Sequence, residues 1–333
     1  MPYSTNTRLS DNELTMENKT RPTEIDLVYL WVNGNDPQWR AKHDAVTGRT
    51  QIQKSLDGKG RYAENGELKY SLRSIEMYAP WIRKIFIVTD NQRPEWLDTS
   101  HPKIQIVDHT EIMPKESLPC FNSSVIEHFL PRIPGLAEHF LFANDDMLLN
   151  RPVTPSTFFA PDGLPIIRFH YKPCRKLSLW FRKNFLKRKK LGNYNQIIKN
   201  AADLVEKKYG IYFGSRSHHN IDAYLKSDYA HTGEIFKEAL APTFSHHIRH
   251  DEDIQRHLYS YCALAEKRAH LHYVTRKTSF RLQIHEAHLY SKLERYNPTF
   301  LCMNDSQFAN DDDRLRSAGY LKKRFPRKSQ FEK

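Results

Sequence analysis

Between residues 26 and 146 short apolar runs alternate with segments of helical spacing, and three of those runs stop on Asn or Asp. Asp26-Leu27-Val28-Tyr29-Leu30-Trp31-Val32 meets Asn33-Gly34-Asn35-Asp36-Pro37, Ile85-Phe86-Ile87-Val88-Thr89 meets Asp90-Asn91-Gln92, and Phe140-Leu141-Phe142-Ala143 meets Asn144-Asp145-Asp146. Each run is too short for a helix and suits a strand buried on both faces. Glu67 to Ala79 places Leu68, Leu72, Ile75 and Ala79 at helical spacing, with Pro80 as a stop. Ile104 to Asp108 reads as another strand, and Asn122 as the cap of a helix carrying Val125, Ile126 and Phe129. Residues 46–65 read as a polar loop. This order predicts an α/β fold with a mostly parallel sheet flanked by helices. The Asn and Asp residues should then gather on one edge, where α/β sheets bind ligands.

Asp145 and Asp146 are the costliest of these residues, because adjacent carboxylates at the end of a buried strand need compensation. A divalent cation bridging them to a phosphate would supply it. A turn or helix cap would also explain Asn and Asp there. Convergence of three such strand ends favours the metal or nucleotide reading.

After residue 150 the pattern changes. Ile166 to His170 reads as a strand and Tyr194 to Lys208 as a helix. Two histidine-rich segments lie at expected helix starts: Gly214 to Asp222 opens one, and Ser245 to Asp253 precedes an amphipathic helix with Ile254, Leu258, Tyr261, Cys262 and Ala265 as its apolar positions; helix N-termini attract anions. Leu301-Cys302-Met303-Asn304-Asp305 repeats the apolar run meeting Asn-Asp, and Asp311 to Asp313 can start a last helix. The formal charge of +12 is unevenly placed: residues 163–202 contain no acid until Asp203 but carry eleven Lys and Arg, with Trp180 and Phe181 among them. Such a block suits a polyanion or an anionic membrane surface. No apolar run is long enough to span a bilayer, and the polar first 24 residues hold no secretory h-region, so a cytoplasmic protein is expected. The four widely spaced cysteines suggest neither a zinc site nor a disulfide framework. The expected organisation is a disordered lead-in (1–24), a catalytic region (25–310, with an α/β core over 25–170 and a basic, helical part over 171–310), and a C-terminal helix with a basic tail (311–333).

Four segments, in order, resemble the Stealth family of hexose-1-phosphate transferases, which includes bacterial capsule polymerases and the catalytic part of animal GlcNAc-1-phosphotransferase. They are IDLVYLWVNGNDPQW (25–39); ELKYSLRSIEMYAPWIRKIFIVTDNQRPEWL (67–97), continuing through FNSSVIEHFLPRIPGL to LFANDDMLLNRPV; HHNID with HHIRHDEDIQ; and CMND (302–305). The resemblance implies a GT-A-like α/β fold. It implies transfer of hexosamine 1-phosphate from UDP-GlcNAc or UDP-ManNAc to a sugar hydroxyl of an oligosaccharide or polysaccharide-phosphate acceptor, with release of UMP. Peripheral contact with the inner face of a bacterial membrane fits the basic block, and no nucleic acid is expected.

By the same resemblance, Asn33, Gly34 and Asp36 would contact the nucleotide sugar, with Gly34 allowing close backbone approach. Asp145, Asp146 and Asp305 would hold Mg²⁺ or Mn²⁺, Asn304 would help hold the sugar, and Arg249 would grip the diphosphate. Arg73 is either a donor contact or a structural ion pair. His219 is the acid/base candidate, with His218 beside it as the alternative and Asp145 as another possible base. Two other functions stay open: a conventional GT-A glycosyltransferase releasing UDP, and a basic nucleic-acid-binding protein.

Overall fold

Leu27 and Tyr29 of β1 (Ile25–Leu30) pack into one apolar cluster and Val28 into another, so this strand is covered on both sides. The computed structural model describes residues 24–48, 62–172, 174, 177–178 and 191–333. Most of the basic block, including 179–190, lies outside the described residues.

β1 is flanked by β2 (Ile85–Thr89) and β4 (His139–Asn144), both parallel to it, and β3 (Ile104–Asp108) extends the sheet beyond β2. The chain lays down β1, β2 and β3 in one direction and then returns to place β4 on the other side of β1. The crevice beyond the carboxyl ends of β1 and β4 is therefore the topological switch point, where an open α/β sheet binds its ligand. The mostly parallel, helix-flanked sheet expected from the sequence is present. Inside it, Asp26 is fully buried but compensated: Arg83 donates to both carboxylate oxygens at 2.9 and 2.6 Å, and the Ala137 and Lys84 amides add two more bonds.

Helix α1 (Pro37–Thr47) starts where Asp36 accepts from the amides of Gln38 and Trp39, with Pro37 in the first turn. Helix α2 (Glu67–Tyr78) buries Leu68, Leu72 and Ile75 at the expected spacing. A small second sheet joins β5 (Met147–Leu149), β9 (Ser279–Gln283) and β10 (Phe300–Asn304), and β6 (Ile166–Phe169) pairs with β8 (His270–Tyr273). The final helix, Asp311–Arg324, has a capping box between Asn310 and Asp313 and buries Leu321 against the second sheet.

The first histidine segment opens no helix, and the second precedes the expected amphipathic helix, His257–Ala265, without forming its first turn. The first runs into β7 (Asp222–Leu225), which pairs antiparallel with β4, Ala223 opposite Leu141. Ile221 and Ala223 bury on one face of the main sheet and Tyr224 on the other, a two-sided demand that a strand meets and a surface helix does not. The second segment is a loop, folded on itself by Asp253, which accepts from His246 Nδ1 (2.7 Å), Asn122 Nδ2 (2.8 Å) and the His250 amide (2.9 Å). The next helix begins only at His257.

Arg73 takes the structural alternative. Its Nε and Nη2 each donate to Glu332 at 2.7 Å, and its Nη1 donates to the Phe325 carbonyl, tying α2 to the C-terminus. The side chains are 10% and 3% exposed, so Arg73→Ala leaves a carboxylate buried without its partner. A stability loss of roughly 3 kcal/mol is expected. Urea titration measures it, and nucleotide affinity of the folded fraction should be unchanged.

Candidate active site

A cavity of about 570 Å³ opens at the switch point, and both halves of the chain line it. Trp31 and Val32 follow β1, Asp90 follows β2, and Asn144, Asp145 and Asp146 end or follow β4. His219, Arg249 and Met303 to Phe308 close the other side.

The acids crowd one wall. The Asp146 amide donates to Asp145 Oδ1 at 3.1 Å, and the Cys302 thiol donates to Asp146 Oδ2 at 3.2 Å. Asp146 Oδ1 is buried with no hydrogen-bond partner among the described residues. Glu67, at the start of α2, also lines the cavity; burial pushes its carboxyl up to about 7. Burial first, then the charges of Asp146, Glu67 and Glu64, hold Asp145 well above the usual carboxylate range. Asp146 is pushed up to about 6 by burial, against the opposing pull of the Cys302 hydrogen bond and Arg281. Carboxylates so arranged repel one another unless a cation joins them.

Asp146, His219 and Cys302 each offer one ligand atom, all within 4.8 Å of one another. This set differs from the three acids expected. Asp305 lines the cavity but is already neutralised, since Arg314 donates to its two oxygens at 2.9 and 3.3 Å and Asn65 adds a third bond. Asn304 lines the cavity with its amide nitrogen held by Gln283 Oε1 and the Asp305 carbonyl.

His219 and His218 part company. His219 lines the cavity with φ of 55°, a left-handed conformation rare outside glycine and worth a functional explanation. Burial first, then the charges of Arg281 and Arg256, push its imidazole down to about 3, so it is neutral at physiological pH. His218 is buried edge-on against Phe300, ring centroids 5.2 Å apart, with Nε2 3.4 Å from Asp222. Of the pair, only His219 reaches the cavity. Arg249, on the loop closed by Asp253, also lines it; Nη2 donates to Ser123 Oγ at 2.8 Å, and its buried Nε bonds to no described group.

The first loop departs from expectation. Asn33, Gly34 and Asp36 do not line the cavity, because the fold uses their polar groups. Gln92 exchanges bonds with the Asn33 amide and carbonyl at 3.0 Å each and donates to Asp36 at 2.9 Å, while Asp36 caps α1. Gly34 does permit a close approach, but the approaching backbone is that of Tyr62: a Cβ would sit 2.3 Å from the Tyr62 carbonyl oxygen. The loop acts by positioning Trp39 and Tyr62, 5.0 Å apart, which with Phe121 form an aromatic wall of the cavity. Gly34→Ala should therefore shift Tyr62 and weaken nucleotide binding about tenfold, roughly the worth of one aromatic contact. Calorimetric titration with UDP measures this.

Sequence reasoning missed Glu67, Trp39, Tyr62 and Phe121. An acid in a first helical turn is ordinary, and Tyr62 sits at the end of a stretch read as polar loop. No local signal separates such residues from structural ones.

Residues 23–51 match the family model described as Stealth protein CR1, conserved region 1, and residues 61–167 match Stealth protein CR2, conserved region 2. The capsular polysaccharide phosphotransferase WcwK of Streptococcus pneumoniae is 48% identical over 143 residues, 43% of this chain and 43% of that protein. The receptor polysaccharide phosphotransferase WefC of Streptococcus oralis is 47% identical over 143 residues, again 43% of each. An exopolysaccharide phosphotransferase of Streptomyces coelicolor is 36% identical over 278 residues, 77% of this chain and 28% of that protein. The matches thus span less than half the length of these relatives. Among solved structures, the galactosyltransferase LgtC with donor and acceptor sugar analogues is 11% identical, covering 92% of this chain and 96% of that one at a TM-score of 0.41. The glycosyltransferase GlyE of Streptococcus pneumoniae TIGR4 is 10% identical, covering 91% and 60% at a TM-score of 0.39.

Proposed function

Because the chain belongs to the Stealth family, we propose that it transfers hexosamine 1-phosphate from UDP-GlcNAc or UDP-ManNAc to a sugar hydroxyl. The product would be a phosphodiester-linked polysaccharide, and UMP would leave. Relatives named as polysaccharide phosphotransferases support this reading. The observation that carries it is the crowded Asp145–Asp146 wall, with a buried orphan carboxylate oxygen, facing Arg249 and His219 across one cavity.

The chemistry follows from these side chains. An acceptor oxygen attacks the phosphorus that bears the sugar, and the bond from that phosphorus to the bridging oxygen breaks. UMP takes the bridging oxygen, and the anomeric C–O bond stays intact. Arg249 has donors left over from Ser123 and would bind two phosphate oxygens, holding the diphosphate in line. His219, neutral and at the cavity, would take the acceptor proton; Asp145 is the second candidate base only where it does not hold the cation. The aromatic wall of Trp39, Tyr62 and Phe121 suits the uracil ring, and Asn304 the sugar.

The orphan oxygen of Asp146 and the mutual repulsion of the acids fit a divalent cation, Mg²⁺ or Mn²⁺. Asp145 and Asp146 would hold it, with His219 or Cys302 in reach. When bound, the ion would neutralise charge on the diphosphate.

No helix among the described residues is long and apolar enough to cross a membrane. The basic block would bring the enzyme to anionic lipid at the cytoplasmic face, a contact broken by high salt. Incubation with Mn²⁺, UDP-hexosamine and an oligosaccharide primer should yield a phosphodiester ³¹P resonance that EDTA prevents. Conversion of the donor to a saccharide without phosphorus would favour conventional glycosyl transfer.

A further inference from the structure

Arg249 has no helix or strand of its own to hold it. It lies in the 245–256 loop, between helices Lys237–Phe244 and His257–Ala265. A guanidinium on a loose loop must be ordered each time a phosphate arrives, and that cost is subtracted from its grip. Two buried side chains remove the cost in advance. Asn122 and Asp253 are both fully buried, and Asn122 Nδ2 donates to Asp253 Oδ2 at 2.8 Å. The same nitrogen reaches the carbonyls of His246 at 3.3 Å and Ile248 at 3.2 Å. Asp253 takes the turn from its other end, through His246 Nδ1 and the His250 amide. Between them the Phe121 amide donates to the His247 carbonyl, and His247 Nδ1 bonds the Pro119 carbonyl, both at 2.8 Å. Both neighbours of Arg249 in the chain are therefore fastened, Ile248 to Asn122 and His250 to Asp253.

Asn122 also works in the other direction. Its Oδ1 accepts from the Ser124 amide at 3.1 Å and caps the short helix Ser123–Ile126, whose first residue receives the Arg249 guanidinium. One side chain thus sets both the backbone that carries Arg249 and the hydroxyl that aims it. Neither Asn122 nor Asp253 lines the cavity, so neither touches the nucleotide itself. Resting on the reading of Arg249 as the diphosphate ligand, we propose that Asn122 and Asp253 are positioning residues that act through Arg249, holding its fork where the nucleotide phosphates arrive. A buried polar pair that served the fold alone would support every contact in the cavity equally. A pair that serves Arg249 supports only what binds through phosphate.

Uridine carries the base and ribose of UDP without its phosphates, so comparing the two separates these roles. Both are titrated calorimetrically, with Mn²⁺ present, into wild type, Asn122→Ser, Asp253→Asn, Arg249→Ala and the Asn122→Ser/Arg249→Ala double variant. Serine can still cap the helix but is too short to reach the loop, and Asp253→Asn keeps the shape while turning one acceptor into a donor. Each single change at 122 or 253 should weaken UDP about tenfold and leave uridine within twofold, because the Phe121 ring stays packed against Trp39 and His43. Asn122→Ser should cost UDP nothing further once Arg249 is alanine. Equal weakening of UDP and uridine, unchanged UDP affinity in both single variants, or a loss that adds in full to that of Arg249→Ala overturns the proposal. Wild type that binds UDP no better than uridine removes Arg249 from the phosphate site, and the proposal with it. The titration needs no turnover, so the two readings fail separately. UMP release without the selective loss defeats the positioning role alone, whereas the selective loss without UMP release defeats the transfer chemistry alone.

Discussion

Asp146→Asn should lower turnover by about 10³-fold or more while the metal-free protein melts at the same temperature or higher. Those two outcomes share one cause. Burial pushes Asp146 up to about 6, which still leaves it largely charged at neutral pH, with one oxygen making no bond among the described residues. A carboxyl whose folded pKa lies above its unfolded value costs stability as the pH rises past the unfolded value, and costs it in full above the folded value. The cost is therefore present at pH 7 and fades as the pH falls below about 6. Asparagine removes the charge, can still accept from Cys302, and should return on the order of 1 kcal/mol to the metal-free fold. It should also abolish any rise in melting temperature caused by Mn²⁺, a readout independent of catalysis. An ordinary turn aspartate behaves otherwise, because its loss changes neither activity nor metal response. If Asp145→Asn and Asp146→Asn both kept full activity, the metal assignment would be wrong.

Arg249→Lys is the second large effect. The guanidinium spends one nitrogen on Ser123 Oγ at 2.8 Å and keeps the rest of its fork at the cavity. Lysine is a shorter point charge that cannot hold Ser123 and span two phosphate oxygens together. A fall in kcat/KM of about 10²-fold or more is expected. Ser123 is the only described side chain that Arg249 bonds, so circular dichroism and the melting temperature should hardly move. Arg249→Ala should cost at least as much as the lysine variant. Retention of kcat/KM within twofold by Arg249→Lys would remove this residue from the phosphate site.

What could be read in the sequence was what local physics repeats. The apolar runs at 26–32, 85–89 and 140–143 became adjacent parallel strands because a strand covered on both faces must be apolar throughout. Their Asn and Asp ends gathered on one edge because parallel strands share a direction, and this placed Asp145 and Asp146 in the cavity. Roles set by distant partners could not be read. Arg73 meets Glu332 from the far end of the chain, Asp305 is taken by Arg314, and Gly34 is constrained by the backbone of Tyr62. The histidine segments misled because Ser, Asn and Asp signal helix starts and tight loops alike. In one case pairing with β4 decided the outcome, and in the other the bonds to Asp253 did. His219 could be told from His218 only once β7 fixed which ring faced the cavity.

Nucleotide products and phosphodiester signals each report one side of the transfer, whereas the fate of a single phosphorus atom reports both. UDP-hexosamine labelled with ³²P at the phosphorus attached to the sugar is incubated with the protein, Mn²⁺ and a phosphodiester-containing primer, and the products are separated. Sugar-phosphate transfer carries the label into the saccharide and leaves unlabelled UMP. Label recovered in UDP, with an unlabelled saccharide extended by one sugar, would contradict it.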